Sequence, residues 1–227
     1  MRHAWDREYG EVRAYTTSYR GDIDRGVHFL LQYLEGRGEH IEGPIVDCGC
    51  GMGRNAIPLA RQGHEVVGLE HSHVALSRLQ ETLGDEELAG TLTTRQHDLN
   101  EPLPVDDDFA AAVLDITAVD NLIDGERRRA YGEEVARILR PGGVAVVVTF
   151  ARDDAYYGRW LAESPWGEQG VVEDPNTGIR NQLFTPALLD RVFVPPLCRE
   201  VASTLVFLDE AAGVTWTRRF LIHLYRK

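Results

Sequence analysis

Three glycines at alternate positions, Gly49, Gly51 and Gly53, follow the apolar run Pro44-Ile45-Val46 and lead into a stretch, Arg54 to Gln62, that reads as helix. A strand that feeds a glycine turn and then a helix brings a ligand close to bare backbone. A Cβ at Gly49 or Gly51 would oppose φ > 0 and hold that ligand away from the main chain. The start of the following helix presents unpaired N–H groups to negative charge. A polar or anionic ligand is therefore expected at Asp47-Cys48-Gly49-Cys50-Gly51-Met52-Gly53.

Two cofactor designs use such a turn. Dinucleotide binders place a small residue at the third position of G-x-G-x-x-G, so that the helix packs on the strand. Here Arg54 occupies that place, which weakens a pyrophosphate reading and with it a nicotinamide-dependent enzyme. The alternative is D-x-G-x-G-x-G with an acidic residue ending the next strand. Glu65-Val66-Val67-Gly68-Leu69 reads as that strand, and it ends in Glu70. An ionised carboxylate offers two acceptor oxygens, which suits the paired hydroxyls of a ribose. The turn with its acid resembles motif I of the class I S-adenosylmethionine-dependent methyltransferases, and Gly51-Met52-Gly53-Arg54-Asn55-Ala56-Ile57-Pro58-Leu59-Ala60 resembles the tellurite-resistance-type branch.

The remaining pattern predicts one α/β domain over residues 1–227, with a helical cap over 1–40 and a lid insertion over 151–183. Ser72 is a good helix cap, and Val74, Leu76, Leu79 and Leu83 follow with helical spacing. Thr91 to His97 leads to Asp98-Leu99, and Phe109 to Leu114 reads as a buried strand ending in Asp115. A helix is expected from Gly125 to Leu139, stopped by Arg140-Pro141-Gly142-Gly143, and Val144 to Phe150 is the plainest buried strand. Thr185-Pro186 opens a helix running from Ala187 to Phe193, and Glu200–Leu208 with Val214–Tyr225 reads as an antiparallel hairpin around Asp209 to Gly213. Strands alternating with helices imply parallel pairing. The same family resemblance, which extends over residues 40–227 and includes Leu139 to Gly143, implies a doubly wound, Rossmann-like seven-stranded sheet of order 3-2-1-4-5-7-6 with strand 7 antiparallel.

Composition narrows the partners. The net charge of −12 opposes the polyanionic backbone of DNA or RNA, and no run of eighteen apolar residues is present to span a membrane. A cytoplasmic enzyme with a small-molecule substrate is the expectation. The triplet Arg127-Arg128-Arg129 begins an amphipathic helix and reads as a solvated face. Cys48, Cys50 and Cys198 give no disulfide framework, and the pair His71 and His73 has no evident partners for a metal, so none is expected.

The resemblance assigns roles by position, with S-adenosylmethionine as cofactor. Asp47 orders the turn and approaches the amino end of the methionine, while Gly49, Cys50 and Gly51 underlie the methionine and ribose. Glu70 takes the ribose, and His71 lies along the adenine or is an exposed loop histidine. Asp98 and the Leu99 N–H meet the adenine edge. Asp115 receives the ammonium or caps the segment after its strand. Methyl transfer needs alignment and exclusion of water more than a fixed catalytic group, so candidates come from the segments over the crevice. These are the amino-terminal stretch with Trp5, Tyr9, Tyr15 and Tyr19, the loop with Asp120 and Asn121, and Arg152 to Arg180 with Tyr156, Tyr157, Trp160 and Trp166. Tyr15, Asp120 and Tyr156 are the catalytic candidates; the aromatic residues of the third segment are equally readable as a small core. Arg152, Arg159 and Arg180 could face an acidic substrate or form surface ion pairs. No D/N-P-P-Y/F motif follows strand four, where Asp115-Ile116-Thr117-Ala118 stands instead, which argues against adenine- and glutamine-type N-methylation. Methyl transfer to a small acceptor is the leading expectation. The alternatives are attack of the cofactor's own amine on its aminobutyl carbon, releasing methylthioadenosine, and a non-catalytic cofactor-binding module.

Overall fold

The computed structural model describes residues 2–11, 22–211 and 213–227. Its seven-stranded sheet contains β1 (Ile45–Cys48), β2 (Glu65–Glu70), β3 (Thr91–Gln96), β4 (Ala110–Ile116), β5 (Leu139–Phe150), β8 (Cys198–Ala211) and β9 (Val214–Arg226), in the order β3-β2-β1-β4-β5-β9-β8. Within this sheet β9 alone runs against its neighbours, opposing both β5 and β8. With β8 and β9 counted as the sixth and seventh strands, this is the expected 3-2-1-4-5-7-6 sheet. Two further short strands, β6 (Val171–Glu173) and β7 (Arg180–Gln182), pair as a separate hairpin.

Helix α1 (Arg2–Gly10) precedes the sheet, and a single turn, α6 (Ala155–Gly158), follows β5. Period-2 alternation sends successive side chains of a strand to opposite faces. Val144, Val146 and Val148 join one apolar cluster with helices α2 (Arg25–Glu35), α3 (Ala56–Arg61) and α4 (His73–Leu83). Ala145 and Val147 join the other with α5 (Gly125–Ile138) and α7 (Pro186–Phe193). The caps follow from sequence chemistry: Ser72, Asp124 and Thr185 accept from the first-turn amides of α4, α5 and α7.

Several boundaries differ from expectation. Helix α3 starts at Ala56, two residues beyond the expected Arg54, because the turn continues through Asn55. Strand β5 reaches back to Leu139, which pairs with Ala110 across a bulge. The β8–β9 ladder pairs as far as Ala211 with Val214, so most of the expected five-residue loop is strand. Arg128 departs from the solvated triplet: it is buried, donates to the Leu122 carbonyl at 2.5 Å and lies over the Phe184 ring. Arg127 and Arg129 remain exposed.

Candidate functional site

The carboxyl ends of β1, β2 and β4 and the segment after β3 converge on a cavity of about 250 Å³, covered by α1. Its wall includes Gly49 to Met52 from the turn, Glu70 and His71 at the end of β2, Asp98 to Asn100 after β3 and Ile116 to Ala118 at the end of β4. The predicted cofactor residues Gly49, Cys50, Gly51, Glu70, His71, Asp98 and Leu99 are thus brought together.

The turn differs in one respect from the expected amide cradle. Gly49 and Cys50 both donate their N–H to the Leu69 carbonyl, at 2.7 and 3.1 Å, and Gly53 donates to the Cys50 carbonyl at 2.9 Å. Gly51 donates to Glu70 Oε2 at 3.0 Å. Four amides of the turn are therefore engaged within the protein and are not offered to an anionic ligand. The glycines are needed for shape: Gly49 and Gly51 hold φ of +76° and +54°, and a Cβ on either would sit 2.8 Å from Ala118 Cβ or the Tyr9 hydroxyl.

Glu70 is 6% exposed and accepts from Ser72 N at 2.7 Å through its other oxygen. Burial raises its pKa, and the amides of Ser72, Gly51 and His71 pull it back. Each oxygen so engaged retains a second acceptor direction. Asp98 works the opposite way: burial disfavours its charge, but the Asn100 backbone and side-chain amides, both bonded to Oδ1, hold its pKa below the usual value.

Asp47 lies beneath the turn, outside the cavity wall, and its buried Oδ2 has no hydrogen-bond partner. Burial, then the charges of Glu70, Asp115 and Asp24, push its pKa up to about 7. Asp115 takes the second of its two expected roles, the cap, and lies outside the cavity wall. Oδ1 accepts from Ala118 N and Val119 N at 3.1 Å each, and Oδ2 from the Tyr131 hydroxyl at 2.7 Å. It caps the 3₁₀ turn Val119–Asn121 and is absent from the cavity wall.

The catalytic candidates fare less well. Tyr15 lies outside the described residues, as does Tyr19. Asp120 is fully buried and points away from the cavity, where its Oδ1 accepts from Phe150 N at 3.3 Å. Tyr156 is 1% exposed and packs against Tyr157, Trp160 and Trp216, with its hydroxyl 3.4 Å from Asp174 Oδ2. The aromatic segment thus builds a core, and no described residue between 151 and 183 lines the cavity. Its arginines are engaged too: Arg159 rests on Tyr156, Trp160 and Trp216, Arg180 pairs with Glu173, and Arg152 donates to the Gly167 and Glu168 carbonyls.

In place of those candidates the wall holds Trp5, Tyr9, Asn121, Leu122 and Thr117. Thr117 and Leu122 were both passed over by sequence reasoning, and Thr117 carries a backbone signal of its own. It holds φ of +60°, a costly conformation for a β-branched side chain that concentrates at functional sites. Among the described residues no group of three His, Cys, Asp or Glu side chains could hold a metal ion, and no helix is long and apolar enough to cross a membrane.

Residues 45–143 match the model of a methyltransferase domain family. The ribosomal RNA small subunit methyltransferase C of Alcanivorax borkumensis is 29% identical over 150 residues, which is 63% of this chain and 43% of that protein. The chain spans less than half the length of the curated relatives it matches. In three dimensions it resembles a protein solved in work on the conversion of a disulfide bond into a thioacetal group during echinomycin biosynthesis, with a TM-score of 0.73, 21% identity and coverage of 100% of this chain and 91% of the other. It also resembles the N-methyltransferase NodS of Bradyrhizobium japonicum in complex with S-adenosyl-L-homocysteine, with a TM-score of 0.67, 12% identity and coverage of 100% and 97%.

Proposed function

We propose that this chain, whose residues 45–143 match a methyltransferase domain family, is a class I S-adenosylmethionine-dependent enzyme that transfers a methyl group from S-adenosylmethionine to a small-molecule acceptor. The observation that carries the reading is the inversion of the turn's polarity. The amides of Gly49, Cys50, Gly51 and Gly53 are consumed by Leu69, Glu70 and Cys50, while Glu70 and the unpartnered Asp47 oxygen place acidic groups at and beneath the turn. Such a site disfavours a pyrophosphate and suits a sugar attached to a cationic tail.

Glu70 would hold the ribose hydroxyls, Asp98 and Leu99 the adenine edge, and Gly49 to Gly51 the amino-acid portion. When bound, the cofactor supplies a methyl carbon activated by sulfonium. The chain's own part is to orient the two reactants and keep water out, with Trp5 and Tyr9 of α1 closing the cavity. A small acceptor fits a site roofed by a helix, and the net charge of −12 leaves the surface poorly matched to a phosphate backbone.

The Asp47 shift gives affinity a direction with pH. A cation arriving near its unpartnered oxygen favours the ionised form, so binding releases a proton wherever Asp47 is protonated beforehand. Affinity for S-adenosylhomocysteine is expected to rise with pH up to about 7, by as much as roughly tenfold per pH unit, and then to level off. Asp47→Asn is expected to flatten that profile in calorimetric titrations between about pH 5.5 and about 8.5, a window that brackets the shifted group; an unaltered slope in the variant contradicts the assignment. In the cofactor-free protein the same group has a folded pKa of about 7 against an ordinary 3.8. Its bound proton therefore contributes stability that is full below the ordinary value and lost as pH rises through about 7.

The reaction itself is tested by mass analysis of protein incubated with S-adenosylmethionine and an acceptor panel. The expected products are S-adenosylhomocysteine and a methylated acceptor. Methylthioadenosine formed without acceptor, or cofactor that binds and stays intact with every acceptor, overturns the proposal.

A further inference from the structure

We infer that Trp5 and Tyr9 form the acceptor platform of this cavity and that they select a planar aromatic acceptor; the inference rests on the methyltransferase reading above. Strand order sets the two ends of the cavity. Asp98 follows β3 and Ile116 to Leu122 follow or end β4, with β2 and β1 between them. Three strand spacings of about 4.8 Å separate these flanks, so the β4 flank lies across the glycine turn from the adenine-binding acid.

Helix α1 closes the β4 flank. The Trp5 indole N–H donates to Asn121 Oδ1 at 3.0 Å, and Asn121 Nδ2 donates in turn to Asn181 Oδ1 at 3.0 Å and to the Arg180 carbonyl at 3.3 Å. Arg7 Nη2 donates to the Thr177 carbonyl at 2.8 Å, and Asp6 accepts from the Ser72 hydroxyl at 2.7 Å. The helix is thereby tied to the β6–β7 segment on one side and to the start of α4 on the other.

Trp5 and Tyr9 are stacked, with ring centroids 5.4 Å apart and planes inclined by 26°. Tyr9 reaches the glycine turn, since its hydroxyl is 2.8 Å from the position of a Gly51 Cβ. The indole's one polar atom and the Asn121 amide are already engaged, so what this flank offers a ligand is chiefly π surface, bordered by Ile116 and Leu122. Among the described wall residues, the acid Glu70 ends β2 and the acid Asp98 follows β3, and Arg54 is paired with Asp24 at 3.0 Å. No described cation stands free at the β4 flank to pair with a carboxylate or phosphate. Stacked or edge-on ring contacts reward a flat unsaturated ligand over a puckered one of equal size.

The test compares 2-naphthol with its saturated counterpart, decahydro-2-naphthol, by ligand-observed NMR titration of the protein saturated with S-adenosylhomocysteine. The wild-type complex is expected to bind 2-naphthol about fivefold more tightly. Trp5→Leu keeps an apolar residue in α1 and is expected to abolish the preference, and Trp5→Phe to restore it, each compared at saturating S-adenosylhomocysteine. Equal affinity for the two alcohols, a preference retained in Trp5→Leu, or no binding of either to a protein that holds S-adenosylhomocysteine overturns the inference. A protein that fails to bind S-adenosylhomocysteine at all instead overturns the methyltransferase reading beneath it.

Discussion

Replacing Glu70 with glutamine is expected to weaken S-adenosylhomocysteine binding by about 100-fold, since one charge-assisted hydrogen bond is lost at roughly 1.5–2 kcal/mol and the other becomes a neutral one at a cost of about 1 kcal/mol. Glutamine has nearly the shape of glutamate but only one acceptor oxygen. In this protein both carboxylate oxygens already receive an N–H, from Gly51 at 3.0 Å and from Ser72 at 2.7 Å. The amide nitrogen introduced by Glu70→Gln would have to face one of those donors. If it faces Gly51, the glycine turn loses its tie to β2; if it faces Ser72, the start of α4 loses one instead. In either rotamer one ribose acceptor is gone as well. Calorimetric titration checks the affinity, and urea denaturation separates it from the smaller stability loss of about 1–3 kcal/mol expected for one unpaired buried donor. Affinity within about threefold of wild type, less than one such hydrogen bond contributes, would show that Glu70 is only a brace for the turn.

The second large effect is expected at Gly49. An alanine there meets two penalties: roughly 1–3 kcal/mol for a non-glycine residue in the left-handed region, and about 1–3 kcal/mol for overpacking, because its Cβ would lie 2.8 Å from Ala118 Cβ. Ala118 sits in the cavity wall and its amide is bonded to Asp115 at 3.1 Å. Relief of the contact therefore displaces the loop that carries Thr117 and Asn121. A control isolates the overpacking penalty. Gly63 holds φ of +98° with nothing within 4 Å of its missing Cβ, so Gly63→Ala carries the backbone cost alone. Urea denaturation is expected to rank Gly49→Ala below Gly63→Ala by about 1–3 kcal/mol, and only the former to lose S-adenosylhomocysteine binding. Equal losses in both variants would mean that the turn tolerates a side chain.

The features legible in the sequence are those set by local chemistry. Buried strands announced themselves as unbroken apolar runs, as at Val144 to Phe150, and caps such as Ser72 and Thr185 by residue type alone. The convergence of Gly49, Glu70 and Asp98 was readable because parallel strands place their carboxyl ends on one edge. What was not readable depends on rotation by a single residue. In a 3₁₀ turn successive side chains diverge by about 120°, which sends Asn121 into the cavity and Asp120 into the protein. Composition marks the pair but not which of the two faces the ligand. Arg128 did carry a signal, since Tyr131 and Val135 at i+3 and i+7 define the buried stripe on which it lies. Asp115 and Tyr156 illustrate a different limit: their partners, Tyr131 and Asp174, are distant enough in sequence that only the fold reveals the side chains as engaged. The masking of the turn's amides by Leu69 was equally hidden, since it depends on how the turn returns over β2.

A crystal structure of the S-adenosylhomocysteine complex tests the central claim most directly. The account predicts a ribose within hydrogen-bonding distance of the Glu70 carboxylate, the adenine beside Asp98 and Leu99, and the amino-acid tail over Gly49 to Gly51 with its ammonium directed toward Asp47. A ligand seated away from the turn, or a complex in which Glu70 touches only Gly51 and Ser72, would contradict it.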